Sequence, residues 1–457
     1  MPCAAGTGPG GTGALRYVFE DASKSGEMTD VDLLRKVERG SPRDNRWVQV
    51  AFAAAAILIC TNGPSTFTGL HLVHPADLRF ESWPFFYPFG AVAIAGTMLL
   101  SRYVRTVGVR ALGWPAIPLG AYLLVVLASA RWSESPTLTP SRALIEVGVV
   151  AFGVWFGAAL PRPQQIWAVF LGCQVGVASS GLVLLVRPVW ARMYPTIVSS
   201  YWMGIYGNRN SLAPVCALAL LTSVALALTE RRRWVTASVV PLLLLDAGLL
   251  AGSKGGTAVA ALAVGVLVPI VVVPALRVLR RRNLPGSLVA TVVVALAGGA
   301  WTLFFAHLGS IASLLGKDET FTSRRPIWAT VRELIRVHPV RGYGYWAIWD
   351  SSAVSDLYAR IGPIGSAHNS ALETMLAVGI VGTVPWAIVV LGALGRPAQA
   401  IWRGGSLGTW WWLALLGFAT VENATESFVL WHSYLWVLVV SAAFVPRTRD
   451  DHLEHTT

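Results

Sequence analysis

Where Gly365-Ser366-Ala367-His368-Asn369-Ser370-Ala371-Leu372-Glu373 runs into a long apolar stretch, a histidine stands at the start of an expected helix. Ser370 and Glu373 have the spacing of a capping box. The positive end of the helix dipole disfavours an imidazolium, so His368 is expected to be a neutral ring able to take a proton. A hydrogen-bonded structural histidine is the plainer alternative. A second helix start is Tyr206-Gly207-Asn208-Arg209-Asn210-Ser211, with Arg209 beside a cap supplied by Asn210 or Ser211. A third basic group, Lys254, lies among small residues in Gly252-Ser253-Lys254-Gly255-Gly256. Taken singly, each of these charges is equally an interfacial anchor.

Ahead of the histidine, Thr322 and Ser323 precede Pro326, and Ile327, Val331, Leu334 and Ile335 recur at helical spacing up to His338-Pro339. Arg325, Arg332 and Arg336 share another face of this expected helix, and Arg324 lies one turn from Trp328. The plainer reading is an amphipathic helix on anionic headgroups. Arg341-Gly342-Tyr343-Gly344-Tyr345-Trp346 follows, a Gly and aromatic turn. Tyr343 and Trp346 there could stack on a sugar, or simply belong to an interfacial aromatic belt.

The elements that must position these residues are dictated by composition. Of 457 residues, 54% are hydrophobic and 13% charged, and the mean hydropathy is +0.57, so most of the chain is expected to be solvated by lipid. The net charge of +12 and the 20 tryptophans then mark topology and depth in a membrane, and nucleic acid is not an expected partner. Cys3, Cys60, Cys173 and Cys216 form no metal or disulfide spacing and read as structural.

Runs of roughly 17–25 residues, the length that crosses a bilayer core, fall near 45–62, 84–101, 112–130, 143–160, 165–187, 211–229, 234–252, 256–276, 285–307, 370–394, 406–421 and 427–445. The fold expected is all-α and polytopic, with about twelve transmembrane helices; the last two runs could instead form a re-entrant pair. Arginine clusters at 102–110, 231–233, 277–282, 396–403 and 447–449 lie on alternate loops and place those loops in the cytoplasm. Residues 1–44 and 446–457 become cytoplasmic tails, and the N-terminal one does not read as a cleaved signal peptide. Residues 45–307 hold helices one to nine, 308–369 form one large outer loop, and 370–445 hold the last three helices. A connection that long is expected to be functional.

Under this topology Arg209, Lys254, Arg324, Arg341 and His368, from separate stretches, all reach the outer face. Arginines, a lysine and helix N-termini together suit a diphosphate. Outside, there is no Asp-x-Asp-like pair beyond Asp318-Glu319 and the spaced Asp77 and Glu81, so a metal site is not expected. Asp246 and Glu146 lie inside apolar runs and keep a second class open, a secondary transporter or a flippase for a lipid-linked glycan.

At these stretches the chain resembles the O-antigen ligase and polymerase superfamily. The resemblance is carried by Asn208-Arg209-Asn210, Ser253-Lys254, Ser323-Arg324 with Ile327-Trp328, His338-Pro339 with Gly342 and Gly344, and His368-Asn369 with Leu372-Glu373, Gly379 and Gly382, over residues 200–395. It implies a protein of the inner or plasma membrane, with a large late outer loop. It also implies transfer of a preassembled glycan from polyprenyl diphosphate to a lipid, sugar or protein hydroxyl, without nucleotide or metal. Arg209 and Arg324 would then hold the diphosphate, and His368 would activate or orient the acceptor. Lys254 stands where an arginine is common and Arg341 where an apolar residue is expected, so their roles as further diphosphate contacts are less defined.

Overall fold

The computed structural model describes residues 43–73, 81–193, 200–230, 232–282, 324–355, 358–359, 365–402, 408–428, 430 and 432–445, with 291 and 299. Two compact units divide the chain, Met1–Gln49 and Val50–Thr457. The first contributes the opening residues of α1 (Arg43–Cys60). All that follows concerns the second.

After α1 come α2 (Gly63–Leu72), α3 (Trp83–Val107), α4 (Ala116–Ala128), α5 (Thr139–Ala159) and α6 (Arg162–Val186). A short antiparallel hairpin, β1 (Arg192–Met193) with β2 (Tyr201–Trp202), leads to α7 (Arg209–Thr229), α8 (Arg233–Ser253) and α9 (Gly256–Arg281). The remainder comprises α10 (Arg324–Val337), α11 (Ser370–Trp402), α12 (Gly408–Thr425) and α13 (Tyr434–Phe444). Among the described residues, seven helices are long and apolar enough to cross a membrane: α3, α5, α6, α7, α8, α9 and α11.

Seven of the expected spans coincide with these helices. The run at 45–62 instead breaks at Asn62, whose φ is 65°, and Pro64 starts α2 at 54° to its predecessor. The runs at 112–130 and 427–445 correspond to the short helices α4 and α13, and 285–307, apart from 291 and 299, falls outside the described residues. Every residue of α13 is buried, so this short helix is solvated by protein on all sides. It packs mainly against α5 and α11, in the core that also holds Trp411, Trp412, Trp436, Phe152 and Phe156. On the periphery Ile94, Met98, Ile117, Ile270 and Val271 stay exposed, the kind of apolar surface a bundle presents to lipid. Small residues bring α3 and α5 together: a Cβ on Gly148 would lie 2.4 Å from that of Ala93.

Two features of the long loop depart from expectation. The apolar face of α10 does not lie on headgroups, because Ile327 and Val331 are buried in a separate core with Tyr343, Ile348, Trp349, Val354, Ala367 and Leu376. The long apolar run from 370 is broken at Gly379, where φ is 60° and ψ −167°. Carbonyls freed by the break accept from the loop, Tyr343 N donating to Leu376 O at 3.0 Å and Gly344 N to Ala377 O at 2.9 Å. Ile380 N in turn donates to Pro339 O at 2.9 Å. A side chain at 379 would collide with Val340 O, 2.2 Å from a Cβ, so only glycine permits this docking.

Buried Arg142, at the start of α5, ties the same loop down. It donates to Glu81 Oε1 and to Asp350 Oδ2, each at 2.7 Å, and also to the Trp346 carbonyl.

Candidate functional site

Three of the expected motifs meet at a residue the sequence reading had not singled out. Glu426 follows the last turn of α12, its N–H donating to Glu422 O at 2.8 Å. Its side chain is 8% exposed. Oε1 accepts from Asn210 Nδ2 at 3.2 Å and pairs with Arg324 Nη2. Oε2 lies 2.6 Å from His368 Nδ1. Burial pushes the Glu426 carboxyl up, but Arg324, His368 and Asn210 outweigh it and hold the group below the usual glutamate range. A buried, ionised carboxylate therefore joins the starts of α7, α10 and α11.

Each helix start is built locally. At α7 the cap is Asn208, ahead of the expected Asn210 or Ser211: its side chain accepts from Asn210 N at 2.8 Å. The Asn210 side chain is thereby left for Glu426. At α11 the expected Ser370 and Glu373 box is displaced. Asn369 caps the helix, Oδ1 accepting from Leu372 N at 3.0 Å. Glu373 is buried and takes Trp349 Nε1 at 2.6 Å and the Ala367 N–H instead.

Asn369 also locks α11 to the end of α12, donating through Nδ2 to Ala424 O at 3.2 Å and through its backbone to Ser427 Oγ at 3.1 Å. His368, directly before it, has φ 51°. Non-glycine residues rarely adopt that conformation unless neighbours over-determine it. The His368 side chain is 28% exposed, so the ring is held at one end and open at the other.

Arg209 and Lys254 meet at a second point. The Arg209 guanidinium carbon lies 3.9 Å from the centroid of the Tyr201 ring, and Lys254 Nζ lies 5.2 Å from it. Lys254 holds this position with φ 53° as the residue that ends α8, and Ser253 Oγ accepts from Gly255 N at 3.2 Å in the same turn. Because Asn210 reaches Glu426, this cation pair adjoins the first cluster by one residue of chain.

The remaining expected residues sit elsewhere. Exposed Arg341 lies 5.8 Å from the Trp132 ring, and its carbonyl accepts from Trp132 Nε1 at 3.0 Å. Both border an apolar hollow of about 380 Å³ with Leu124, Val125, Ala128 and Val381. Tyr343 is buried and donates to Leu334 O at 3.0 Å; Trp346 lies under the Arg142 guanidinium at 5.0 Å. Glu81 is committed to Arg142, while Asp77, Asp318 and Glu319 lie outside the described residues. Among the described residues no group of three or more His, Cys, Asp or Glu side chains is arranged to hold a metal. Glu146 accepts from His432 and from Trp436 Nε1 at 2.8 Å, and Asp246 from Gln174 at 2.7 Å.

The family described as O-Antigen ligase matches residues 217–387, a stretch that contains Lys254, Arg324, Arg341 and His368. A curated relative, the exopolysaccharide production protein ExoQ of Rhizobium meliloti (strain 1021), is 26% identical over 238 residues. That match covers 48% of this chain, and the chain spans 52% of the relative's length. Both findings support the O-antigen ligase and polymerase superfamily.

Proposed function

We propose, from the superfamily these matches support, that the chain is a multi-pass membrane glycosyltransferase that moves a preassembled glycan from polyprenyl diphosphate to an acceptor hydroxyl. The observation that carries this reading is the meeting of Asn210, Arg324 and His368 at one buried carboxylate beside the Arg209–Lys254 pair. The acceptor oxygen attacks the anomeric carbon while the bond to the diphosphate breaks, and the electron pair leaves on the diphosphate oxygen. Arg209, Arg324 and Lys254 stabilise that developing charge. Arg341 is a secondary contact, reached from the side of Trp132. His368 takes the acceptor's proton, a contribution of about 10²–10⁴-fold in rate. A single displacement inverts the sugar, and the cations do the work that a metal would otherwise do.

The site belongs on the outer face, with both tails cytoplasmic, in the arrangement of about twelve spans. The transport reading draws on Glu146 and Asp246, but both are engaged by hydrogen bonds inside the bundle. Protein in liposomes with a polyprenyl-diphosphate glycan separates the two. Transfer predicts a glycosylated acceptor together with free carrier diphosphate. Glycan that crosses the bilayer still attached to its carrier would overturn the assignment.

A further inference from the structure

We propose that Glu426 is a positioning residue for this transfer: by accepting the Nδ1 proton of His368 it leaves Nε2 as the ring atom that takes the proton from the acceptor. The inference rests on the reading above, in which His368 handles that proton. The contact is 2.6 Å long, and the carboxylate side chain is 8% exposed against 28% for the ring. An ionised carboxylate has no proton to donate, so at this distance Nδ1 must carry one, and the neutral ring then has its lone pair on Nε2. The charges and polar groups facing Glu426 are Arg324 from α10, Asn210 from α7, His368 ahead of α11 and, one turn back on α12, Glu422. Glu426 remains an anion in that company because Arg324 and His368 offset its burial.

The backbone fixes the ring's origin independently. Ser427 and Ala424 hold Asn369, the residue after His368, so the segment 424–427 controls both ends of the hydrogen bond. When the acceptor's O–H gives its proton to Nε2, the proton on Nδ1 stays where it is. The imidazolium that forms then lies against a carboxylate, which stabilises it as the diphosphate departs.

Replacement by glutamine makes a sharp test, because Arg324 has only donors. In Glu426→Gln the amide oxygen must face Arg324 and Asn210, so the NH₂ faces Nδ1. The ring proton is thereby driven to Nε2, which can no longer act as the base. The expected result is a fall in kcat of about 10²–10⁴-fold, the range for loss of a general base, with donor KM within a few fold. In ¹⁵N-histidine spectra the His368 proton should move from Nδ1 in the parent to Nε2 in the variant. Glu426→Asp keeps the charge and should recover part of the rate and the parental tautomer.

A folded Glu426→Gln protein with near-parental kcat and an unchanged tautomer overturns the inference, even if His368→Ala is inactive and the transfer reading stands. If the parent transfers nothing from the carrier, the reading fails, and the tautomer still decides the role of Glu426. Should the glutamine variant not fold, the parent's own spectrum decides: a proton on Nε2 refutes the proposal.

Discussion

Removing the cation of the Arg324–Glu426 pair should reverse the way folding responds to acid. The two side chains are 7% and 8% exposed, so neither charge is well solvated by water. Burial alone raises the Glu426 carboxyl, and Arg324 is the first of the groups that bring it below the usual range. A carboxyl depressed in the folded state adds stability above its unfolded pKa and loses it as pH falls through the folded value. The parent should therefore keep this contribution down through the ordinary glutamate range and lose it only below. In Arg324→Ala the burial remains while its main opponent is gone, so the carboxyl moves up. Stranding a buried charge costs about 3–5 kcal/mol at neutral pH. That cost should shrink on acidification, because the group can then become neutral.

Denaturant unfolding in lipid nanodiscs, from neutral pH to below the ordinary glutamate range, reads both curves. Arg324→Met combined with Glu426→Gln removes both charges and should recover much of the loss without restoring transfer. A single variant that loses stability with acid in parallel with the parent would refute the argument. So would a double variant no more stable than the single one.

Four further outcomes follow from the same geometry. His368→Ala should leave donor affinity within a few fold while transfer falls by about 10²–10⁴; Arg209→Ala should weaken donor binding and slow transfer together, as steady-state kinetics with a lipid-linked glycan can show. Glu422 is buried and neither of its carboxyl oxygens has a hydrogen-bond partner among the described residues, so Glu422→Gln should unfold no more easily than the parent and transfer normally. A tenfold loss of transfer in a folded Glu422→Gln protein would place it in the machinery after all. Gly379→Ala puts a Cβ 2.2 Å from Val340 O on a backbone with positive φ, and limited proteolysis should find the segment around Arg341 loosened relative to the parent.

What the sequence made legible was local chemistry. Arg209, Asn208, Asn369 and His368 were readable because helix starts follow from caps and the dipole within a few residues, although the caps themselves proved to be Asn208 and Asn369. The seven long spans were legible for the same reason, since hydropathy is a property of a continuous run. Glu426 was not, because its partners are separated from it by 216, 102 and 58 positions and no pattern around it announces them. Its one hint was an acidic residue, with Glu422, in the short stretch between the last two expected runs. Tyr201 was equally hidden, as an ordinary aromatic until α7 and the turn after α8 bring two cations to its ring. Gly379 stood out only as part of the family resemblance, and only the docked loop shows why the helix breaks there.

The balance of charge explains why such a site would contain a buried carboxylate at all. The starts of α7 and α11 direct positive dipole ends toward the region, and Arg209, Lys254 and Arg324 add three cations. Without an anion, these groups would repel one another whenever the donor is absent. Glu426 neutralises one of them permanently, and the choice falls on Arg324, the most deeply buried of the three and the least able to be screened by water. Arg209 and Lys254 lie against the face of Tyr201, where a π-surface attracts a cation. A diphosphate would then meet two cations at an aromatic face and a third already oriented by a carboxylate. Capture would fall mainly to Arg209 and Lys254, whereas Arg324 would contribute as bond breaking concentrates charge on the leaving oxygen. Loss of Lys254 should accordingly show first in donor KM, and loss of Arg324 in kcat.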